Sequence, residues 1–302
     1  MNIHQEITTY LYYCEYQKKL STKSIKAYSI DLKQFVHYLS TVPEQNPTKA
    51  TISGYFMKLH QLYSPRTAKR KLASIRAFFN YLEFEEMLDV NPIRKIRTKF
   101  QEPKVLPKTI PLKFIEQLLA IAHQEKNLAK TAYGSFSARR NVAILETLFA
   151  TGMRVSELCS LKTEDVNLED GTIHVMGKGA KERVIQIGND EVLAALQQYW
   201  VANTCQSVFF INRLSSRLSE QSVRFMIRKF VKKAEIALHI TPHMFRHSFA
   251  TLLLEEDVDI RYIQRMLGHS SIQTTQIYTQ VTTEKQRQIL TTKHPRNRMK
   301  IY

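Results

Sequence analysis

Apolar residues recur at intervals of three and four along most of this chain, the spacing of helices that each bury one face. In STKSIKAYSIDLKQFVHYLS, the residues Ile25, Tyr28, Leu32, Phe35, Val36 and Leu39 form one stripe, and Ser21 stands where an N-cap belongs. A second helix is predicted from Ser64-Pro65, with Ser64 capping, Pro65 in the first turn, and Leu72, Ile75, Phe79 and Leu82 on the buried face. Residues 1–90 thus read as one helical unit. Residues 91–111, NPIRKIRTKFQEPKVLPKTIP, carry four prolines, a density that breaks helices and favours extended chain, and read as a linker.

From Leu112 to residue 302 the helical pattern returns and is interrupted once. GTIHVM and ERVIQIG are short β-branched runs joined by GKGAK, a Gly-rich connection of hairpin length that displays Lys178 and Lys181. Helical signals resume over 190–202, 219–237, 241–256, 259–267 and 271–280. The expected fold is therefore mainly α with a small β-hairpin or sheet, in two domains: 1–90 helical, 91–111 linker, 112–302 α+β. A length of 302 residues also favours two domains, because it exceeds what a single core usually supports.

Charge narrows the function. Lys and Arg number 44 against 27 Asp and Glu, a net +17, in a chain that is 43% hydrophobic and globular in composition. Such an imbalance implies a polyanionic partner, nucleic acid before an anionic membrane. No apolar run is long enough to span a bilayer, and MNIHQEITTYLYYCEYQKK lacks the pattern of a signal peptide, so a cytosolic protein without a membrane partner is expected. The three cysteines, Cys14, Cys159 and Cys205, are far apart and odd in number, which suits reduced, partly buried thiols. The predicted helix from Ser64 concentrates Arg66, Lys69, Arg70, Lys71 and Arg76 with no acid between 64 and 82, and the linker adds Arg94, Lys95, Arg97 and Lys99. These cations are candidates for phosphate contact, as is Lys181, against the alternative of a merely solvated face.

Four stretches carry chemistry. In ATGMRVSELCSLK, Gly152 ends one helix and Arg154 opens the next, so a guanidinium and helix-start amides can converge on an anion, or Arg154 can simply pair with Glu157. Lys178 on the hairpin tip is either a proton donor to a leaving alkoxide or an ordinary turn lysine. In TPHMFRHSFATLLLEE, Thr241 caps, Pro242 occupies the first turn, and His243 and Arg246 share a face and can address one phosphate. HMFRH lacks the glutamate that would make it a zinc-protease motif, and no metal or cofactor is expected. In YIQRMLGHSSIQTTQIYTQ, Gly268 ends a helix, His269 follows, and Tyr278, one of 14 tyrosines, becomes a nucleophile only if cations and a base stabilise its phenolate.

Taken in order and at these separations, ATGMRVSEL, GKGAKERV, TPHMFRHSFAT and MLGHSSIQTTQIYT resemble the tyrosine recombinase (phage integrase) family, nearest its Xer-like members, over about half the chain. The helical N-terminal part resembles the family's core-binding, SAM-like domain. The resemblance implies a two-domain clamp on double-stranded DNA. Arg154 and Arg246 would grip the scissile phosphate and His269 would hydrogen-bond it. Lys178 would be general acid, His243 base or hydrogen-bond partner, Glu157 the orienting residue and Tyr278 the nucleophile. Two planar guanidiniums can match the charge on the phosphoryl oxygens without a metal. It further implies a homo- or hetero-tetramer on inverted half-sites, regulated by the tail after Tyr278. Chromosome or plasmid dimer resolution, integration and inversion all use this chemistry; the absence of room for an arm-binding domain favours the Xer-like role. The competing readings are a relaxase resembling type IB topoisomerases and a DNA-binding protein without chemistry.

Overall fold

The computed structural model describes residues 3–44, 46–94, 96, 108–177, 182–203 and 207–268. The chain divides into two compact units, Met1–Lys104 and Val105–Tyr302, each with its own core. Ile93 is buried in the first core and Ile110 in the second, so both ends of the proline-rich stretch are anchored by an apolar side chain. Lys95, Arg97 and Lys99 lie outside the described residues. Among the described residues no helix is long and apolar enough to cross a membrane.

Among the described residues the first unit has four α-helices: α1 (Ile3–Tyr12), which runs on through a π-helical turn at Tyr13–Gln17, α2 (Thr22–Ser40), α3 (Lys49–Leu62) and α4 (Pro65–Phe84). Ser21 caps α2 as its sequence predicts, accepting from the Ser24 amide. Ser64 does not cap α4 through its side chain. Its hydroxyl donates to Thr67 Oγ1 (3.1 Å) while its carbonyl takes the Ala68 amide (2.9 Å), so the backbone closes the first turn. Leu32, Phe35, Phe78, Phe79, Ile75 and Leu82 fill the core.

Inside this apolar contact sits a charged cluster. Asp31 on α2, fully buried, accepts from Arg70 through both η nitrogens, from Lys71 Nζ (3.0 Å) and from Ser74 Oγ (2.8 Å), all on α4. Lys71 is only 3% exposed, also donates to Gln34 and lies 4.8 Å over the Tyr63 ring. The expectation that Lys71 lies along phosphates is therefore corrected: it faces inward, because a carboxylate waits for it there. Arg66, Lys69, Arg70 and Arg76 do line the exposed face, with Arg70 tethered to Asp31, and exposed Arg94 pairs with Glu83 (3.1 Å).

The second unit packs α5 (Leu112–Leu128), α7 (Val155–Ser160), α8 (Asp190–Val201) and α10 (Pro242–Glu255) against α6 (Ala132–Thr151), and adds α9 (Glu220–Lys233), α11 (Ile260–Leu267) and a small sheet that α11 touches. The sheet is antiparallel, β1 (Val166–Asn167), β2 (Thr172–Met176) and β3 (Glu182–Gln186) in that order, with Ile173 facing Ile185 and Val175 facing Arg183. The hairpin expected from the sequence is β2–β3; the two-residue β1 was too short to leave a pattern. Its tip, with Lys178 and Lys181, lies outside the described residues, as does everything beyond Gly268. Cys14 and Cys159 are free and buried, and Cys205 is not among the described residues.

Removing the Asp31 charge should leave Lys71 buried without its counter-ion. Asp31→Asn is expected to cost about 3–5 kcal/mol, by the precedent of buried pairs broken on one side. Urea denaturation followed by far-UV circular dichroism reads the loss. A change below about 1 kcal/mol would mean the pair is worth no more than a surface salt bridge.

Candidate active site

The site begins where α6 stops. Thr147 and Thr151 turn their hydroxyls back to the carbonyls of Ala143 (2.7 Å) and Thr147 (2.6 Å), and Gly152 then takes φ +58°, ending the helix with its amide on Leu148 O (3.2 Å). A side chain at Gly152 would meet Phe249 Cδ1 at 2.6 Å and Leu267 Cδ2 at 3.0 Å, so both the backbone angle and the close approach of α10 and α11 require glycine. Two residues later Arg154 is the N-cap of α7.

Arg154 is held by Glu157, one turn on. Glu157 Oε2 accepts from the Arg154 amide (2.9 Å) and Oε1 from Arg154 Nη1 (2.7 Å). The ion pair anticipated as an alternative is thus present, and Glu157 also takes the amide of the N-cap residue itself. The Arg154 side chain stays one-third exposed (33%), while Glu157 is 6% exposed.

Glu157 has a second cation that the sequence reading missed. Arg183, on β3, donates Nη2 to Oε2 (2.8 Å), Nη1 to Oε1 (3.2 Å) and Nε to Met266 O (3.0 Å) near the end of α11. Burial alone would raise the pKa of Glu157, but the hydrogen bonds and charges of Arg183 and Arg154 outweigh it and hold the carboxyl below its usual range. Strand alternation was the available signal: Arg183 shares a face with the buried Ile185, an unusual place for an arginine unless it has a partner.

Arg246, from α10, reaches the same turn. It is 4% exposed and donates Nη1 to the carbonyl of Gly152 (2.9 Å), the C-cap of α6, and Nη2 to that of Leu267 (2.7 Å), the last residue of α11, at two helix ends where dipoles favour a cation. Helix α10 is set in place by Pro242 in its first turn and by Ser248 Oγ, which accepts the Ile110 amide (2.7 Å). Thr241 occupies the N-cap, but its carbonyl rather than its hydroxyl takes the Met244 amide (2.9 Å), which corrects the expected side-chain cap. One turn before Arg246, His243 is exposed to solvent. Desolvation by packing and the charges of Arg246, Arg224 and Arg154 push its pKa down, against a smaller opposing pull from Glu220. His247 is pushed down in the same way by desolvation, His243 and Arg246.

The structure therefore brings Arg154, Glu157, Arg246 and His243 to the junction of α6, α7 and α10, and adds Arg183. Lys178, His269 and Tyr278 lie outside the described residues. Gly268 takes φ +65° to end α11.

Comparison with known proteins agrees on one family. Residues 110–285 match the phage integrase family, and residues 7–86 match the phage integrase N-terminal SAM-like domain. The chain is 50% identical to a tyrosine recombinase of Agathobacter rectalis, over 98% of each chain, and 33% identical to tyrosine recombinase XerC of Thermodesulfovibrio yellowstonii, over 96% of each. Its fold is shared with the XerH site-specific recombinase solved on a palindromic difH substrate in a post-cleavage complex. There the TM-score is 0.76 at 22% identity, covering 92% of this chain and 82% of the other.

Both histidines are harder to protonate in the folded chain than at their ordinary value of 6.5. Below about that pH the unfolded chain takes up more protons, so their contribution to stability, intact above it, is lost as the pH falls. The double variant His243→Gln, His247→Gln should lose less stability than wild type between neutral and mildly acidic pH. Urea midpoints measured across that range check this; parallel curves for the two proteins would refute it.

Proposed function

The chain belongs to the phage integrase family and is a site-specific tyrosine recombinase, and we propose that it cuts and rejoins DNA strands through a phosphotyrosine formed at Tyr278. The observation that carries the assignment of roles is the convergence of Arg154 and Arg246, 92 positions apart, on the single turn that follows α6. In the proposed reaction the Tyr278 oxygen attacks the scissile phosphorus and the bond to the 5′ oxygen breaks. The strand's 3′ phosphate is then on the protein, and the departing oxygen takes a proton from Lys178. Arg154 and Arg246 meet the charge on the nonbridging oxygens, with His269 donating a hydrogen bond. His243, held neutral near pH 7 by its lowered pKa, accepts the phenol proton. The phosphotyrosine preserves the energy of the broken bond, so a 5′ hydroxyl from a second duplex reverses the step without cofactor or external energy.

Within this scheme Met1–Lys104 binds flanking DNA through Arg66, Lys69, Arg70, Arg76 and Arg94, with Lys95, Arg97, Lys99 and Lys181 adding phosphate contacts, and Val105–Tyr302 does the chemistry. In this scheme both units contact the same double-stranded DNA. The full-length likeness to a XerC protein supports a Xer-like role, the resolution of chromosome or plasmid dimers inside the cell at the nucleoid. The palindromic substrate of the XerH neighbour supports inverted half-sites, and with them a homo- or hetero-tetramer on two sites.

Two experiments test these assignments. Incubation with nicked duplexes bearing candidate inverted repeats should trap a denaturation-resistant adduct that maps to Tyr278. Tyr278→Phe should abolish it while leaving gel-shift affinity unchanged; an adduct persisting in that variant would remove the nucleophile from the scheme. Separately, the triple variant Arg66→Ala, Lys69→Ala, Arg76→Ala should flatten the dependence of log affinity on log salt by about 0.9 for each phosphate that is no longer neutralised. An unchanged slope would take the α4 face off the DNA.

A further inference from the structure

We propose that Arg183 is a positioning residue for strand cleavage, sharing the buried Glu157 carboxylate with Arg154 so that the Arg154 guanidinium is engaged there by one nitrogen only and remains available to the scissile phosphate. The inference rests on the reading above in which Arg154 grips that phosphate.

The geometry around Glu157 carries it. Each carboxylate oxygen has one donor from each arginine: Oε1 takes Arg154 Nη1 (2.7 Å) and Arg183 Nη1 (3.2 Å), and Oε2 takes the Arg154 amide (2.9 Å) and Arg183 Nη2 (2.8 Å). The fork-to-fork contact, the preferred geometry of an arginine with a carboxylate, is made by Arg183. Arg183 is the more buried of the two, 10% exposed against 33% for Arg154, so the inner guanidinium satisfies the carboxylate and the outer one faces the opening. If Arg183 were absent, Glu157 would stay buried with only half of its donors. The compensation within reach is for Arg154 to turn inward and take the fork itself, which withdraws it from an anion outside.

The same guanidinium also spans three elements. It starts on β3, binds Glu157 of α7 and donates Nε to Met266 O of α11, and a side chain at Gly268 would come within 3.0 Å of its Nη1. Neither an alkyl chain nor an ammonium reproduces this: methionine has no donor, and lysine offers one charged atom for three acceptors.

The test compares single-turnover cleavage of a nicked duplex, carrying the inverted repeat that the wild-type protein captures covalently, in two forms. One form has the ordinary scissile phosphate. The other has a methylphosphonate there, in which methyl replaces a nonbridging oxygen and removes the charge that Arg154 meets. Arg183→Met is expected to bind the duplex like wild type yet cleave the phosphate about 100-fold more slowly, as a small misplacement of a reacting group does. The deficit should shrink several-fold on the methylphosphonate, in parallel with Arg154→Ala. An equal deficit on both substrates, or wild-type cleavage of the phosphate, overturns the inference while leaving the role of Arg154 intact. If Arg154→Ala itself shows no phosphate-selective loss, the earlier reading and this inference fall together. Should Arg183→Met not fold, Arg183→Lys, which keeps a charge beside Glu157, is judged by the same two substrates.

Discussion

Concentrating positive charge in a small volume before any anion arrives is the constraint on which the catalytic unit depends. Two like unit charges 4 Å apart repel by about 4 kcal/mol at an effective dielectric near 20. This protein gathers Arg154, Arg183 and Arg246 around one turn, with His243 beside them. It offsets them in two ways: with one buried carboxylate, Glu157, and with the carbonyl ends of α6 and α11, whose dipoles point at Arg246. His243 and His247 lie beside this charge, and burial first, neighbouring positive charge second, hold their pKa values below the ordinary imidazole range.

Much of this arrangement was legible in the sequence, and the reasons are local. Glycine followed two residues later by arginine marks a helix end and a helix start, and the structure has both at Gly152 and Arg154. Proline after threonine marks the start of α10, although the cap there is made by backbone alone. What was not legible is pairing across the fold. Arg183 is 26 positions from Glu157, and Asp31 is 40 from Lys71; no local spacing relates either pair. The available signal was a charged residue on a face otherwise apolar: Arg183 beside Ile185, Asp31 beside Leu32, and Lys71 beside Leu72.

The cations of α4 make the same point about charge runs. Read as a string, Arg66, Lys69, Arg70, Lys71 and Arg76 look alike, but the helix period sorts them by destination. Lys71 falls on the stripe with Ala68, Leu72, Ile75 and Phe79 and is buried against Asp31; the others fall outside the stripe and stay exposed. Arg70 occupies the border, half-exposed while gripping Asp31, and Asp31 thereby fixes the rotation of α4 about its axis through two successive side chains. A fixed rotation determines which cations face outward together, so a buried carboxylate in the core orders the exposed basic face of α4, touching it only through Arg70.

Asp31 and Glu157 are thus counterparts in the two units. Each is a carboxylate almost without solvent access, each holds two cations of unequal burial, and in each pair the outer cation is the arginine proposed to meet DNA, Arg70 in one unit and Arg154 in the other. A buried ion pair is a weak device for stability, because desolvation consumes most of its Coulomb energy. Its strength is in fixing direction: a guanidinium tied at one edge has far fewer rotamers to lose when an anion binds at another. An ordered cation costs less entropy at the moment of binding than a solvated one, and for a protein whose partner carries a charge at every phosphate, discrimination lies in where its cations are held more than in how many it has.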